Sequence, residues 1–230
     1  MNDRLKDMAE VYSRAFKESL SKINKIYVTF IVILIRAFFV NYKFRGLVGG
    51  NLGGLIFYFV DAFLLCFVVQ ALKSLVVYGN PGKKSIGNSV SNFWQPVLNT
   101  MFFVYLIQML IRLIAPGLSY NAYMIFIVLF EFATSALLEE IYINNKSGFD
   151  AIKVSFKFVC DNILTYGLFA FLCLMIEFYI NINLTGGIGS KGFLMILLLA
   201  IAETLFYVIR GHLFKYLDSH SYRQRKFMRG

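Results

Sequence analysis

The chain has 230 residues, of which 58% are hydrophobic and 17% aromatic, and it carries a formal net charge of +10. This apolar content exceeds that of an ordinary soluble domain. The positive charge argues for a membrane protein rather than a nucleic-acid partner, because the basic residues lie between long apolar segments. The composition therefore predicts an all-α, polytopic membrane protein.

The three cysteines, Cys66, Cys160 and Cys173, lie in or beside apolar segments and form no CxxC motif. We interpret them as packing residues rather than as disulfide partners or metal ligands. No metal site and no cofactor is predicted. The first 25 residues are charged and precede any apolar segment, so we expect no cleavable signal peptide.

Residues 1–25 have apolar side chains at helical spacing, with charges on the other face. This pattern predicts an amphipathic helix that lies at the membrane surface. The apolar positions are Leu5, Met8, Val11, Tyr12, Ala15, Phe16 and Leu20.

Six apolar segments follow, and each is close to the roughly 20 residues that a helix needs to cross a bilayer. They cover residues 26–42, 55–75, 93–114, 122–138, 163–180 and 193–209. The link between the third and fourth segments is short, which predicts that these two spans are antiparallel neighbours. We therefore predict six transmembrane helices.

The transition from polar to apolar sequence occurs three times. Segments aligned on Ser19, Ser89 and Ser155 are spaced 70 and 66 residues apart. We interpret them as three repeats of an elbow helix followed by a transmembrane hairpin. The repeat units are about 1–75, 76–140 and 141–210 within a single integral membrane domain, 1–230, and the basic tail is 211–230.

The distribution of basic residues predicts the orientation. Of the 23 lysines and arginines, 18 lie in the N-terminal segment, the second and third elbows and the C-terminal segment. The positive-inside rule then places both termini and all three elbows in the cytoplasm. Membrane lipids are the expected partners, with anionic headgroups contributing about 1 kcal/mol for each basic residue at the elbows.

Ionisable residues inside the apolar segments are the candidate binding site. Such a group costs at least about 2.5–3.5 kcal/mol on insertion, and it therefore usually faces the interior of the bundle or a wet cavity. The descending spans each carry one acid, and the first span carries a base: Asp61, Glu131, Glu203 and Arg36. These four residues would form a polar site for a cation, a proton or a lipid headgroup. The alternative is that the acids are neutral or paired and only fix helix packing.

Depth along the spans predicts two ion pairs. Arg36 and Asp61 both fall in the outer half of their spans, and Glu177 and Arg112 lie near the outer ends of theirs. Glu131 and Glu203 lie deeper and have no evident basic partner.

Three glycine-containing patterns resemble known binding or packing motifs, but their sequence context does not support those functions. Residues 79–85 lack the first glycine and the final serine or threonine of a phosphate loop. Gly187, Gly189 and Gly192 match GxGxxG but lie in a short turn between spans. The GxxxG spacing of residues 46–54 indicates a turn and close packing of the second span.

The pair Glu139-Glu140 is similar to the start of the EExxxR motif of the membrane-embedded CAAX-processing proteases. Here Asn144 occupies the arginine position, Val208 replaces the phenylalanine of FxxxH, and no histidine precedes His212. The set of catalytic groups is incomplete, so we expect no enzyme. We interpret the pair as a solvated helix end.

Residues 75–81 running into 85–96, and 144–148 running into 151–162, place a polar, glycine-containing loop before each elbow. This arrangement resembles a group of bacterial six-span membrane proteins that includes the membrane domains attached to some glycerophosphoryl diester phosphodiesterases. The resemblance implies a fold, and the phosphodiesterase activity is not implied because no soluble domain is present in this sequence.

These observations favour a bacterial inner-membrane protein with a non-enzymatic role, either transport-associated or membrane-organising. One alternative is the permease subunit of an ABC exporter, whose elbows would contact an ATPase partner. An intramembrane hydrolase is the other alternative, and it lacks a visible nucleophile or metal site.

Overall fold

The computed structural model describes residues 2–41, 51–114, 117, 119–184 and 190–229, and every regular element among them is helical. The α-helices are α1 (Asn2–Ser21), α2 (Tyr27–Asn41), α3 (Asn51–Leu72), α4 (Ser89–Ile114), α5 (Tyr120–Ala133), α6 (Leu137–Tyr142), α7 (Gly148–Asp161), α8 (Leu168–Leu184), α9 (Ser190–Ser219) and α10 (Tyr222–Arg229). Wider π-helical turns extend α3 through Lys73–Val77 and precede α8 at Ile163–Gly167.

Four helical segments are long and apolar enough to cross a membrane, which identifies a membrane protein. They are Ile56–Val77, Ile86–Ile114, Ile163–Ile182 and Gly192–Ser219. The other two predicted spans correspond to the shorter helices α2 and α5, of 15 and 14 residues. The number of six spans therefore stays a prediction.

The fourth predicted span is interrupted. A turn at residues 134–136 separates α5 from α6. The hydroxyl of Thr134 donates to the carbonyl of Phe130 at 2.8 Å, an interaction that competes with helical hydrogen bonding. The helix thus stops at Ala133 and resumes at Leu137.

Helix α9 is central to the packing. It contacts α1, α2 and α8, while α2 packs on α3 and α3 on α4. The largest apolar core lies between α2, α3, α4 and α9, with Ile33, Cys66, Val97 and Ala200 among its buried residues. Helix α5 packs against α4, α7 and α8.

Both chain ends lie at one end of the bundle, which we call the terminal face. Here α1 packs against α9, and Arg225 of α10 donates two hydrogen bonds of 3.1 Å to the carboxylate of Asp7 in α1. Val11 and Ala15 are buried, whereas Leu5, Phe16 and Leu20 remain exposed. Helix α1 thus buries part of its apolar face in the protein, and its location at the membrane surface stays a prediction.

The three predicted elbows differ in structure. Separate helices α1 and α7 precede α2 and α8, but only one 3-10 turn, Ile86–Asn88, precedes α4. Helix α4 continues past Pro96 without interruption. The threefold repeat therefore stays a prediction.

The predicted tail 211–230 is helical over most of its length. Helix α9 continues to Ser219, and Leu213, Phe214 and Leu217 are buried. Of the glycine patterns, Gly46, Gly50, Gly187 and Gly189 lie outside the described residues.

Candidate functional site

Arg36 and Asp61 are in contact, as their depth in the sequence predicts. The Arg36 Nε donates to Asp61 Oδ1 at 2.9 Å, and Nη2 donates to Oδ2 at 3.3 Å. These two hydrogen bonds join α2 to α3 in the bidentate geometry that makes an arginine–carboxylate pair strong and directional. Glu203 of α9 lies in the same electrostatic cluster, where its charged neighbours are Arg36, Glu177 and Asp61.

Glu131 lies apart from these three residues. It is exposed on α5, at the edge of a cavity of about 310 Å³ between α5, α8 and α9. The cavity is lined by Glu131, Thr134, Ser135, Ala170, Leu174, Glu177, Phe178, Asn181 and Arg210. The structure thus brings three of the four predicted site residues together and places the fourth, Glu131, at a separate cavity.

Glu177 connects the cavity with the cluster around Arg36. Its charged neighbours are Arg210, Glu131 and Arg36. The predicted pair between Glu177 and Arg112 is wrong, because no ion pair joins these residues in the described part of the chain. Arg112 is exposed near the end of α4, and Glu177 points into the bundle.

Arg210 is the buried cation of the cavity, with only 7% of its surface exposed. Its Nε and Nη2 lie 3.3 and 3.4 Å from the two carboxylate oxygens of Glu139, and Nη2 also donates to the carbonyl of Ser135. The Tyr166 hydroxyl donates to the same carbonyl at 3.1 Å. The break between α5 and α6 therefore supplies an acceptor that an unbroken helix would use internally.

The interpretation of Glu139 and Glu140 as a solvated helix end is wrong. Each is 1% exposed, because α6 packs against α3 and α7. The compensating charge for Glu139 comes from Arg210, 71 residues further along the chain. Sequence reasoning counted Arg210 only among the basic residues of the C-terminal segment, and its one available signal was its position directly after the apolar segment 193–209.

Glu140 is held differently from Glu139. Asn144 Nδ2 donates to its Oε2 at 2.9 Å, and the residue lies in no ion pair among the described residues. Burial raises the pKa of the Glu140 carboxyl to about 7, with smaller contributions in the same direction from Asp218 and Glu139. Glu140 is thus a buried acid that titrates near neutral pH.

The cavity between α5, α8 and α9 can accept a cation. Arg210 is already matched by Glu139, while Glu131 and Glu177 form no ion pair with any described residue. One carboxylate oxygen of Glu177, Oε1, is buried and has no hydrogen-bond partner within the described structure. Two acids, one of them with an unpartnered carboxylate oxygen, are the groups in this space that attract a cation.

Residues 79–85 form a turn rather than a phosphate loop. Gly79 and Gly82 have φ angles of +67° and +83°, and the carbonyl of Gly79 accepts a hydrogen bond of 2.8 Å from Lys25. A Cβ atom at Gly82 would lie 2.9 Å from Cβ of Ser74. These glycines serve the turn geometry.

Comparison with protein-family models, with curated proteins and with solved structures finds no match to this chain. Its function is therefore argued from the geometry of the site.

Proposed function

We propose that this chain is a bacterial inner-membrane, six-span protein that binds a small cation or a proton in the cavity between α5, α8 and α9, as a transport-associated component. One observation carries this proposal. Glu131 and Glu177, two acids without an ion-pair partner among the described residues, line a cavity at an interrupted helix.

The physical chemistry of membranes supports a functional role for this interruption. Non-helical backbone is tolerated at membrane depth only where protein or a wet cavity satisfies its polar groups. The freed Ser135 carbonyl meets that condition through Arg210 and Tyr166. In many transporters, interrupted helices of this kind form the ion and substrate sites.

Two observations support the proposed topology. The contact between Asp7 and Arg225 brings both termini to one face, as an even number of spans requires. The excess of basic residues near that face favours a cytoplasmic location. The three-unit repeat belongs to this proposal on its sequence pattern.

Reconstituted protein tests the proposal. In proteoliposomes loaded with a pH-sensitive dye, and in separate flux assays with Na⁺ and K⁺, we expect cation or proton movement by the wild-type chain. Glu177→Gln and Glu131→Gln should each reduce the rate at least about tenfold, because each removes a charge that attracts the cation. Asp150→Asn, which changes an exposed acid on α7, is the matched control.

The result that would overturn the proposal is equally specific. If the double variant Glu131→Gln/Glu177→Gln transports at the wild-type rate, the cavity is not the site. If the wild-type chain moves no tested cation and tolerates Glu131→Gln and Glu203→Gln together, a membrane-organising role replaces transport.

The alternative of an ABC-exporter permease is supported by the adjacency of two loops on the terminal face. Lys73 Nζ donates to Asn145 Oδ1 at 3.2 Å, which places the loop after α6 beside the end of α3. These loops would form the contact surface for an ATPase. Copurification of an ATPase with the tagged chain would favour this role, and its loss upon charge reversal of Lys83 and Lys84 would locate the contact.

A further inference from the structure

A second polar cavity, of about 340 Å³, lies on the terminal face between α3, α4 and α6. Its polar lining consists of Gln70, Lys73, Tyr78, Asn92 and Asn145. Gln70 is 4% exposed, and its side chain is fixed on both sides: Oε1 accepts from Asn92 at 3.1 Å, and Nε2 donates to Ser74 at 3.3 Å. The cavity wall is therefore ordered by hydrogen bonds within the protein.

Lys73 supplies the only charge in this lining. It is partly buried, its ammonium lies 5.3 Å from the centre of the Phe93 ring, and it donates to Asn145 Oδ1. No carboxylate of the described residues forms an ion pair with it. The contacts with a ring face and with one amide oxygen leave much of the positive charge uncompensated.

Several hydrogen-bond donors line this cavity beside the Lys73 charge. Lysine can only donate, so the Asn145 atom that faces it is the oxygen, and the amide nitrogen of Asn145 remains available as a donor. Asn92 has a second amide hydrogen, and Lys73 has two more ammonium hydrogens. Such a set matches a ligand that has several acceptor oxygens and a negative charge.

The cavity lies where the apolar segments end. Lys73 opens the last turn of the segment Ile56–Val77, and Asn92 lies in the second turn of α4. Trp94, two residues after Asn92, packs against the apolar core, and tryptophan is enriched at membrane–water interfaces. A phosphate at the surface of the bilayer would be level with Lys73.

We propose that the cavity between α3, α4 and α6 is a binding site for a phosphate ester, with Lys73 as its charge and Asn145 and Asn92 as its amide donors. The shared chemistry is the anionic phosphate, carried by a phospholipid headgroup or by a soluble phosphate ester. This site is separate from the acid-lined cavity at the helix break and does not depend on the proposed transport role.

The test uses the full chain in a mild detergent and three probes: short-chain phosphatidylglycerol, dioctanoylglycerol, which lacks the phosphate, and glycerol 3-phosphate. Binding is measured by native mass spectrometry and by the shift in melting temperature. We expect one equivalent of phosphatidylglycerol or of glycerol 3-phosphate to bind and raise the melting temperature, and dioctanoylglycerol to have no effect.

Variants locate the site. Lys73→Gln should weaken phosphate binding at least about tenfold. Asn145→Asp should do the same while keeping the side-chain shape, because the new carboxylate neutralises Lys73 and repels the anion. Lys153→Gln, on the exposed face of α7, is the matched control and should bind as the wild type does.

The outcomes distinguish a lipid source of phosphate from a soluble one, and both of these from failure of the proposal. Binding of phosphatidylglycerol alone assigns the site to a lipid headgroup, and equal binding of glycerol 3-phosphate assigns it to a soluble ester. If neither probe binds, or if both Lys73→Gln and Asn145→Asp bind as tightly as Lys153→Gln, the proposal is overturned.

Discussion

The side chain of Arg210 organises the polar interior, because it contacts Glu139 and the Ser135 carbonyl at once. A buried charge of this kind is stable only when its partners satisfy it. Removing one partner of a buried ion pair typically costs about 3–5 kcal/mol, whereas replacing both by apolar residues is often neutral. This asymmetry makes the role of Arg210 testable.

Arg210→Met should therefore lower the melting temperature by about 6 °C or more, at about 2–4 °C for each kcal/mol in a chain of this size. The double variant Arg210→Met/Glu139→Met should recover most of that loss, since it leaves no uncompensated carboxylate. Arg223→Met on exposed α10 is the control. A double variant that is less stable than Arg210→Met would contradict a pairwise role.

Glu140 should make stability depend on pH near neutrality. Its folded-state pKa of about 7 lies above the ordinary value of 4.5. Between these two pH values the Glu140 carboxyl is therefore protonated in the folded protein and ionised in the unfolded chain. Stability from this group is therefore fully present below about pH 4.5 and is lost as the pH rises through 7.

Relative to Glu140→Gln, which keeps a neutral polar group, the wild type should lose melting temperature as the pH rises from about 4.5 to about 7. The comparison in detergent at constant ionic strength isolates the carboxyl. Parallel curves for the two proteins over this range would show that Glu140 does not titrate there.

Gly211 permits a close contact between α9 and the neighbouring helices. A Cβ at this position would overlap the Tyr142 hydroxyl and lie 2.9 Å from Val76 Cγ2. Gly211→Ala should destabilise the chain by about 1–3 kcal/mol through overpacking. Gly87→Ala, where the added carbon meets no atom within 4 Å, is the control in the same melting experiment.

At the scale of elements, one buried ion pair joins the first and the last helix of the chain. Helices α1 and α10 come from opposite ends of the chain, and Arg225 and Asp7 join them with both residues buried. The exposed Phe227 and Met228 lie on the remainder of α10. This buried contact, together with the exposed Lys226–Asp3 pair at 3.5 Å, joins the short α10 to α1.

Arg225→Ala should release α10 and increase its cleavage by trypsin at Arg223 and Lys226, because a helix of eight residues is not stable alone. Arg223→Ala, which leaves the contact intact, should keep Lys226 protected. The rate of cleavage, followed by mass spectrometry, is the measurement. Equal cleavage of Arg225→Ala and the wild type at Lys226 would show that other contacts hold α10.

At the scale of the molecule, the terminal face and the opposite end should lie on different sides of the membrane. Cys160 is exposed on α7 near the termini, and Cys66 and Cys173 are buried. In intact cells, Cys160 should react with a membrane-permeant maleimide and not with an impermeant one. Gly117→Cys, at the other end of α4, should react with both reagents.

Inverted membrane vesicles provide the control, since Cys160 should then react with the impermeant reagent. Labelling of Cys160 by that reagent in intact cells would reverse the proposed orientation of the chain.

Several structural features were predictable from local sequence, and one ion pair was predictable from the depth of its two residues in their spans. Hydropathy located the apolar helices because transfer into lipid depends on each segment alone. The Arg36–Asp61 contact was predictable because the two residues lie at similar depth in consecutive spans. The same reasoning failed for Glu177 and Arg112, which have similar depth but lie on helices that do not bring their side chains together.

The sequence by itself determined the membrane class, the helical content and the places where charge enters apolar segments. Only the tertiary structure decided which charges meet. Glu139 and Arg210 lie 71 residues apart, and the break at residues 134–136 has no strong sequence signal such as proline. The physical reason is that lipid and helix surfaces are equally apolar, so hydropathy does not determine the neighbours of a span, whereas buried ion pairs and small residues such as Gly211 do.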